Sequence, residues 1–264
     1  MKLRFACALA GLVACGTFSF LVPAQAAEQA QSAPTAISNE ANAALQQMGK
    51  TLAADDVAFK ARTIRVYEND KGQPLHIFHT VNVVAHRPDR LAVRVTGDDG
   101  SHELLYDGKS VTIAGLDKTK YAQIEAPNTI AAMMEEVMGR LGIDFPLGDF
   151  LAPAPDKAFL AGVTTGSEVN TVIIDGAPYR HLFFSQPPGI ELELWVSKNE
   201  QALPRRLIVT HRLLPGQPNF IAEFSDWNFG TRHPDSEFVF QPPAGATKVD
   251  LKLDGSGSGS GEKK

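Results

Sequence analysis

Asn-Thr-Ile-Ala-Ala-Met-Met-Glu-Glu-Val-Met-Gly-Arg-Leu, residues 128–141, is the stretch whose reading decides the fold. Its apolar side chains are Ile130, Met133, Met134, Val137, Met138 and Leu141. Steps of three and four residues make one stripe of a 3.6-residue helix. Asn128 stands where an N-cap belongs, with Thr129 behind it, and Gly142 stands where a helix passes into the left-handed conformation. Glu135, Glu136 and Arg140 take the wetted face. A stripe rich in methionine is soft and repacks around varied apolar partners.

On either side the pattern changes to period two, so this amphipathic helix must lie on a sheet. Upstream, Ser38 or Asn39 caps a first helix with Ala41, Ala44, Leu45, Met48 and Leu52 on its apolar stripe. Strands are then predicted at 57–67, 75–86, 90–96, 102–106, 110–114 and 118–125. Their connections are too short for crossovers, so they form an antiparallel meander. Asp107-Gly108 suits a type I′ turn. Downstream of the helix, Ile143 to Leu151 is a loop rich in large apolar residues, and 157–161 makes another helical turn. Strands resume from Gly162, with 179–185, 190–197, 204–214, 219–229 and 237–240 as later members. The two strand groups read as one sheet interrupted by the helix.

The ends are set apart from this fold. Lys2 and Arg4, an apolar run from Phe5 to Val22 and Ala24-Gln25-Ala26 read as a secretory signal peptide over 1–26. A second option is a lipobox at Leu12 to Gly16, in which Cys15 would carry a lipid anchor. Residues 27–37 are a flexible leader, 38–248 one domain, and 249–264 a Gly/Ser tail. Both cysteines, Cys7 and Cys15, fall in the signal segment, so the mature domain has no thiol chemistry and depends on its core. Removing 1–26 takes away two basic residues and no acidic ones, leaving 23 basic against 30 acidic, a net charge of −7. That balance argues against nucleic acid as a partner.

Catalytic motifs are scarce. The chain has no G-x-S-x-G elbow, H-E-x-x-H, P-loop or G-x-G-x-x-G. His76 and His79 are three apart on a strand and face opposite ways, so they do not chelate one metal. Glu191 and Glu193 share a strand face with Trp195 and are the candidates for a hydrolase, though a solvated outer face is the ordinary explanation. Glu223, Asp226 and Trp227 carry the same suspicion. Several arginines lie on or beside strands, and one pointing inward would need a carboxylate or carbonyl partner and could latch a helix across a cavity.

Six stretches carry a resemblance. They are Ala43 to Gly49 (AALQQMG), His86 to Leu91 (HRPDRL), Leu105 to Thr112 (LYDGKSVT), Leu203 to Leu207 (LPRRL), Asp226-Trp227-Asn228, and Phe238 to Ala246 (FVFQPPAGA). In this order they resemble a family of periplasmic proteins of unknown function, DUF2092, which itself looks like the lipoprotein-carrier (LolA/LolB-like) superfamily. The resemblance implies an α+β fold, an antiparallel sheet curved into an incomplete, half β-barrel around apolar space, with an N-terminal helix and a central lid helix. It implies no catalytic residues and no cofactor. With the helix and loop pattern, it leads to the expectation of a monomeric periplasmic protein that is not an enzyme and holds a lipid, acyl chain or other apolar molecule. The expected contacts are Ile130, Met133, Met134, Val137, Met138 and Leu141 from the helix, with Phe145, Leu147, Phe150 and Leu151 from the loop. No metal is expected. The alternative is a sensor domain that recognises an envelope protein without a lipid.

Overall fold

Ser38 opens the first helix, because its Oγ accepts from the Ala41 backbone N–H at 3.2 Å. Helix α1 (Asn39–Leu52) buries Ala41, Ala44, Leu45, Met48 and Leu52, the stripe expected from the sequence. This computed structural model describes residues 37–143 and 145–250. The signal peptide, most of the leader and most of the Gly/Ser tail lie outside the described residues.

Strands β1 (Asp56–Glu68), β2 (Pro74–His86), β3 (Arg90–Gly97), β4 (Gly100–Tyr106), β5 (Ser110–Gly115) and β6 (Lys120–Glu125) form the antiparallel meander. The later strands are β7 (Thr165–Ile174), β8 (Ala177–Gln186), β9 (Ile190–Ser197), β10 (Pro204–His211) and β11 (Asn219–Asn228). The two groups join where β1 pairs antiparallel with β11, with Ala61 opposite Phe224, Thr63 opposite Ala222 and Arg65 opposite Phe220. A two-residue strand, β12 (Thr247–Lys248), adds parallel to β6. The result is one open sheet in the order β12-β6-β5-β4-β3-β2-β1-β11-β10-β9-β8-β7. It is the incomplete barrel of an α+β fold.

One face of this sheet carries the core. Alternation puts Val57, Phe59 and Ala61, then Val81, Val83 and Ala85, then Leu192 and Leu194, on the buried side. Two sequence expectations need correction. Residues 237–240 are not a strand: Asp235–Glu237 is a 3₁₀ turn, after which Phe238 is buried on the outer face against Ala92 and Leu105. Phe240 follows it onto Tyr121, with ring centroids 4.9 Å apart. Their period-two spacing reflects docking on a sheet surface, which demands the same alternation as joining its edge. The 107–108 turn is also not type I′. The two-residue loop between paired Asp107 and Ser110 is Gly108-Lys109, and only Gly108 has positive φ, at 87°. Asp175-Gly176 is an Asp-Gly turn with φ positive at both residues, 50° and 78°.

The central helix starts one residue later than expected. Thr129 is the N-cap, and its Oγ1 accepts from Ala132 N–H at 3.2 Å. Helix α2 (Ile130–Met133) runs into a π-helical turn, Met134–Met138. Gly142 closes it with φ 63°, while Ile143 N–H reaches back to the Met138 carbonyl at 2.9 Å. Two contacts moor its start to the sheet. Ile130 N–H donates to the Pro88 carbonyl at 2.8 Å, and the fully buried Tyr106 hydroxyl donates to the Pro127 carbonyl. Beyond the helix come a 3₁₀ turn, Gly148–Leu151, and helix α3 (Pro155–Phe159). Phe150 packs edge-on to Phe224 of β11 at 5.2 Å, and Phe159 edge-on to Phe184 of β8 at 5.5 Å.

Burial, with the Asp89 charge adding and Arg90 opposing, pushes the Tyr106 pKa up to about 12. The folded chain therefore holds this proton more tightly than the unfolded chain, whose phenol titrates near 10. Stability present below pH 10 should fall as pH rises toward 12. Tyr106→Phe should lose about 1–2 kcal/mol at neutral pH, because the Pro127 carbonyl loses its buried donor. In urea titrations across this range the variant should show a shallower alkaline decline than the parent.

Candidate functional site

The buried face of the sheet does not stay buried along its length. On β1 the inward residues run from Ala61 and Thr63, both buried, through half-buried Arg65 to Tyr67, which is 49% exposed. On β2 the same direction leads from Val81 to half-buried His79, on β3 from Leu91 to Val95, and on β4 from Leu104 to exposed His102. Exposure rises on four neighbouring strands toward one end of the sheet. Here the helical cover stands off and leaves a cavity of about 330 Å³.

The floor is Thr63, Val81, Leu91, Val93, Leu104, Ile113 and Phe220, and the roof is Met138, Gly142, Ile143, Phe145, Pro146 and Leu147. The ten contacts expected from the sequence divide between roof and core. Met138, Phe145 and Leu147 border the cavity. Ile130, Met133, Val137, Phe150 and Leu151 are buried in the hydrophobic core, and Met134 and Leu141 pack half-buried against it. The helix turns its first half into the core and offers the cavity only its C-terminal end. The strand-borne floor was missing from the expectation. Its signal was present in the alternation, since Val81 and His79 share a face with Val83, as do Leu91, Val93 and Val95.

Polar groups gather at the open end. His79 Nε2 lies 2.6 Å from Asp99 Oδ1. The imidazole reaches Asp99 by crossing Gly97, where a Cβ would overlap the ring and the Phe78 carbonyl. The Arg65 guanidinium sits 5.1 Å from the centre of the Phe220 ring, its cross-strand neighbour. Partial desolvation lowers the His102 pKa from its ordinary value, with the Asp99 charge opposing and His79 adding to the shift.

Arg87 is the arginine that latches the cover. It stands in the turn between β2 and β3, where strand parity gives no direction. Its guanidinium donates to the Phe150 carbonyl at 3.2 Å, the Ala152 carbonyl at 3.3 Å and the Ala54 carbonyl. A planar donor with several N–H groups can serve three carbonyls from two segments, which an ammonium on a thinner stem does less well. Burial pulls the Arg87 pKa down, with Asp55 opposing. The loop carrying Phe145 and Leu147 is thus fixed at its far end by a half-buried cation.

The carboxylates singled out from the sequence lie on the opposite face. Glu193 pairs with His181 at 2.8 Å and Glu191 with Arg212 at 3.6 Å. Trp195 stacks on His181, 4.1 Å between centroids and 8° between planes. Arg206 covers its other neighbourhood at 5.3 Å and is bound to Glu223. This row is a cross-strand ladder whose members satisfy one another. Trp227 faces the core, 4.5 Å from Phe59, with its Nε1 donating to the Pro204 carbonyl. Among the described residues no group of three or more His, Cys, Asp or Glu is placed to hold a metal, and no helix is long and apolar enough to cross a membrane.

Residues 41–252 match the family described as "Predicted periplasmic protein (DUF2092)". No curated protein matches the chain. Among solved structures it is similar to a LolA superfamily protein from Nitrosomonas europaea, at 12% identity and TM-score 0.38, covering 74% of this chain and 97% of that one. It is also similar to the lipoprotein LppX of Mycobacterium tuberculosis, at 16% identity and TM-score 0.42, covering 74% and 99%. A third is the MucA/MucB complex of Pseudomonas aeruginosa, at 17% identity and TM-score 0.41, covering 80% and 64%.

Arg87→Met should lower unfolding free energy by about 2–3 kcal/mol, since it strips a charged donor from buried carbonyls. Hydrogen exchange should rise first in 145–152, and Arg87→Lys should recover only part of the loss. Uniform loss of protection with no excess in this loop would contradict the latch.

Proposed function

The chain belongs to the DUF2092 family of predicted periplasmic proteins, and we propose that it binds an apolar molecule, an acyl chain or lipid, in the cavity under Met138, Phe145 and Leu147. In this reading residues 38–248 act as one binding domain, monomeric and without a chemical step. Export is by the signal peptide, either as a soluble protein or with an anchor at Cys15.

The cavity itself carries the reading. A monomer has little reason to leave apolar surface from five strands and a helix end facing empty space, because unfilled volume forfeits dispersion contacts. A void of about 330 Å³ lies at the lower end of ligand pockets, about 300–1,000 Å³. Its walls are aliphatic and aromatic, which suits a ligand recognised by fit more than by direction. The soft Met138 side chain in the roof accommodates chains of different shape. A domain that recognised only a protein would not need the volume.

Two measurements test it. Mass spectrometry of organic extracts from the purified mature protein should find a co-purified acyl compound, and a fluorescent fatty-acid probe should bind. Val93→Trp, which fills the floor, should weaken the probe at least tenfold while changing stability by no more than about 1–2 kcal/mol. A protein that yields no extractable lipid, and whose probe binding is absent or indifferent to Val93→Trp, would sink the proposal.

A further inference from the structure

We infer that the end of the sheet at the cavity mouth is a membrane-docking rim, in which leucines on the hairpin tips enter the surface of a lipid bilayer. This goes beyond the cavity reading and does not need it, since a protein can dock without holding a ligand.

Topology gathers the rim. In the antiparallel order of the sheet, the tips joining β1 to β2, β3 to β4, β5 to β6, β8 to β9 and β10 to β11 all fall at the mouth end. Large apolar side chains stand out of these tips and the cavity roof: Tyr67, Leu75, Leu116, Ile143, Leu213 and Leu214. Among the described residues Ile173 is the counterpart at the other end. Tyr67 and Leu75 are cross-strand partners. Leu213 and Leu214 are 72% and 52% exposed. An exposed apolar set this biased to one end marks an interaction site.

The two leucines are held out by an ordered loop. Leu214 N–H donates to the His211 carbonyl at 3.3 Å, and Gln217 N–H to the Leu214 carbonyl at 3.0 Å. Arg212 N–H donates to the Gly189 carbonyl of the neighbouring tip at 2.8 Å. A Cβ on Gly189 would overlap the Leu213 side chain, and one on Gly216 the Glu68 carboxylate, so three tips lie against one another. Their backbone is satisfied while the leucines face water.

The place where the chain enters the domain favours a membrane as the occupant. Ser38 N–H donates to the Gly166 carbonyl at 2.9 Å, and Gly166 pairs with Phe184 near the end of β8 that leads into the rim. Residues before 37 therefore join the domain at this same end, and an anchor at Cys15 would tether the protein by the end that carries the rim. The form of the rim agrees. Its apolar side chains project from separate tips around an opening, which a fluid surface accommodates, whereas a protein partner binds through anchors clustered in packed pockets. Lys71, Lys118 and Arg212 stand among Glu68, Asp70 and Asp117 on the tips. With both signs mixed, attachment comes from burying apolar groups and not from attraction to anionic lipid.

Vesicle sedimentation of the mature protein tests this. It should partition onto vesicles of phosphatidylcholine alone, and half-molar sodium chloride should not release it. Leu213→Ser combined with Leu214→Ser should weaken partitioning at least tenfold, since burying one leucine is worth about that much. Val169→Ser combined with Ile173→Ser removes exposed apolar groups from the β7 edge and should change nothing. Leu213→Trp should keep partitioning, and its emission should shift to the blue and be quenched by phosphatidylcholine brominated in its acyl chains. Failure to bind neutral vesicles, binding that requires anionic lipid, or equal losses in the two double variants would overturn the inference. So would dimers in solution that depend on Leu213 and Leu214, because the rim would then belong to a second copy. Lipid extraction and probe binding read the cavity separately, so either reading can fail while the other stands.

Discussion

A curved open sheet has a concave face that must be kept from water, and everything in this protein follows from how that face is covered. Helix α1 covers part of it, and the rest of the cover is a single run of chain between β6 and β7. Its start is moored by Tyr106 to Pro127 and by the Pro88 carbonyl to Ile130. Its end is held by Arg87 through Phe150 and Ala152. Between these moorings the bulk of the cover goes to β11 and β8, where Phe150 and Phe159 meet Phe224 and Phe184 edge-on. Over the far end of β2 to β5 only Met138, the helix terminus and Phe145 to Leu147 remain to form a roof. The shortfall there is the cavity.

The outer face is managed in a different way on each wing. Over β3 to β6 the C-terminal stretch lies down on the sheet. Phe238 fills the space between Ala92 and Leu105, and Glu237 ties to Arg94 and His233. Glu237 would be raised by burial, but those hydrogen bonds and charges hold its pKa below the ordinary value. Over β8 to β11 no segment among the described residues covers the face. A ladder of His181, Trp195, Arg206 and Glu223 satisfies its own charges and stacks its own rings. Glu191 and Glu193 belong to this surface, on the far side of the sheet from the cavity.

Much of the architecture was legible because each element carried its own period. The stripe from Ile130 to Leu141 and the alternation of Leu91, Val93 and Val95 each named a buried face. The unity of the sheet followed from the lack of any second helix pair. Phe238 and Phe240 misled because docking on a sheet and joining its edge ask for the same alternation. The N-cap slipped by one because Asn128 and Thr129 are both good caps, and only the Pro127 and Pro88 contacts fix which one turns. Arg87 could not be assigned from parity, since a turn residue has none. The cavity was the least legible feature. The sequence marks which residues are apolar and which way they point, but whether facing surfaces meet depends on how far the cover between β6 and β7 reaches. For that reason Ile130 and Met133 read the same as Met138 in the sequence and occupy different surroundings in the fold.

The central claim is that apolar space under the helix terminus admits a chain. Crystals of the mature protein grown with a decanoic acid brominated at its tenth carbon test it most directly, because bromine marks the inner end of the chain by anomalous scattering. A bromine peak within about 4–5 Å of Leu91 and Val81, contact distance for apolar groups, is the predicted result. Bromine only on the outer surface, or Met138 and Phe145 side chains filling the volume in its place, would contradict it.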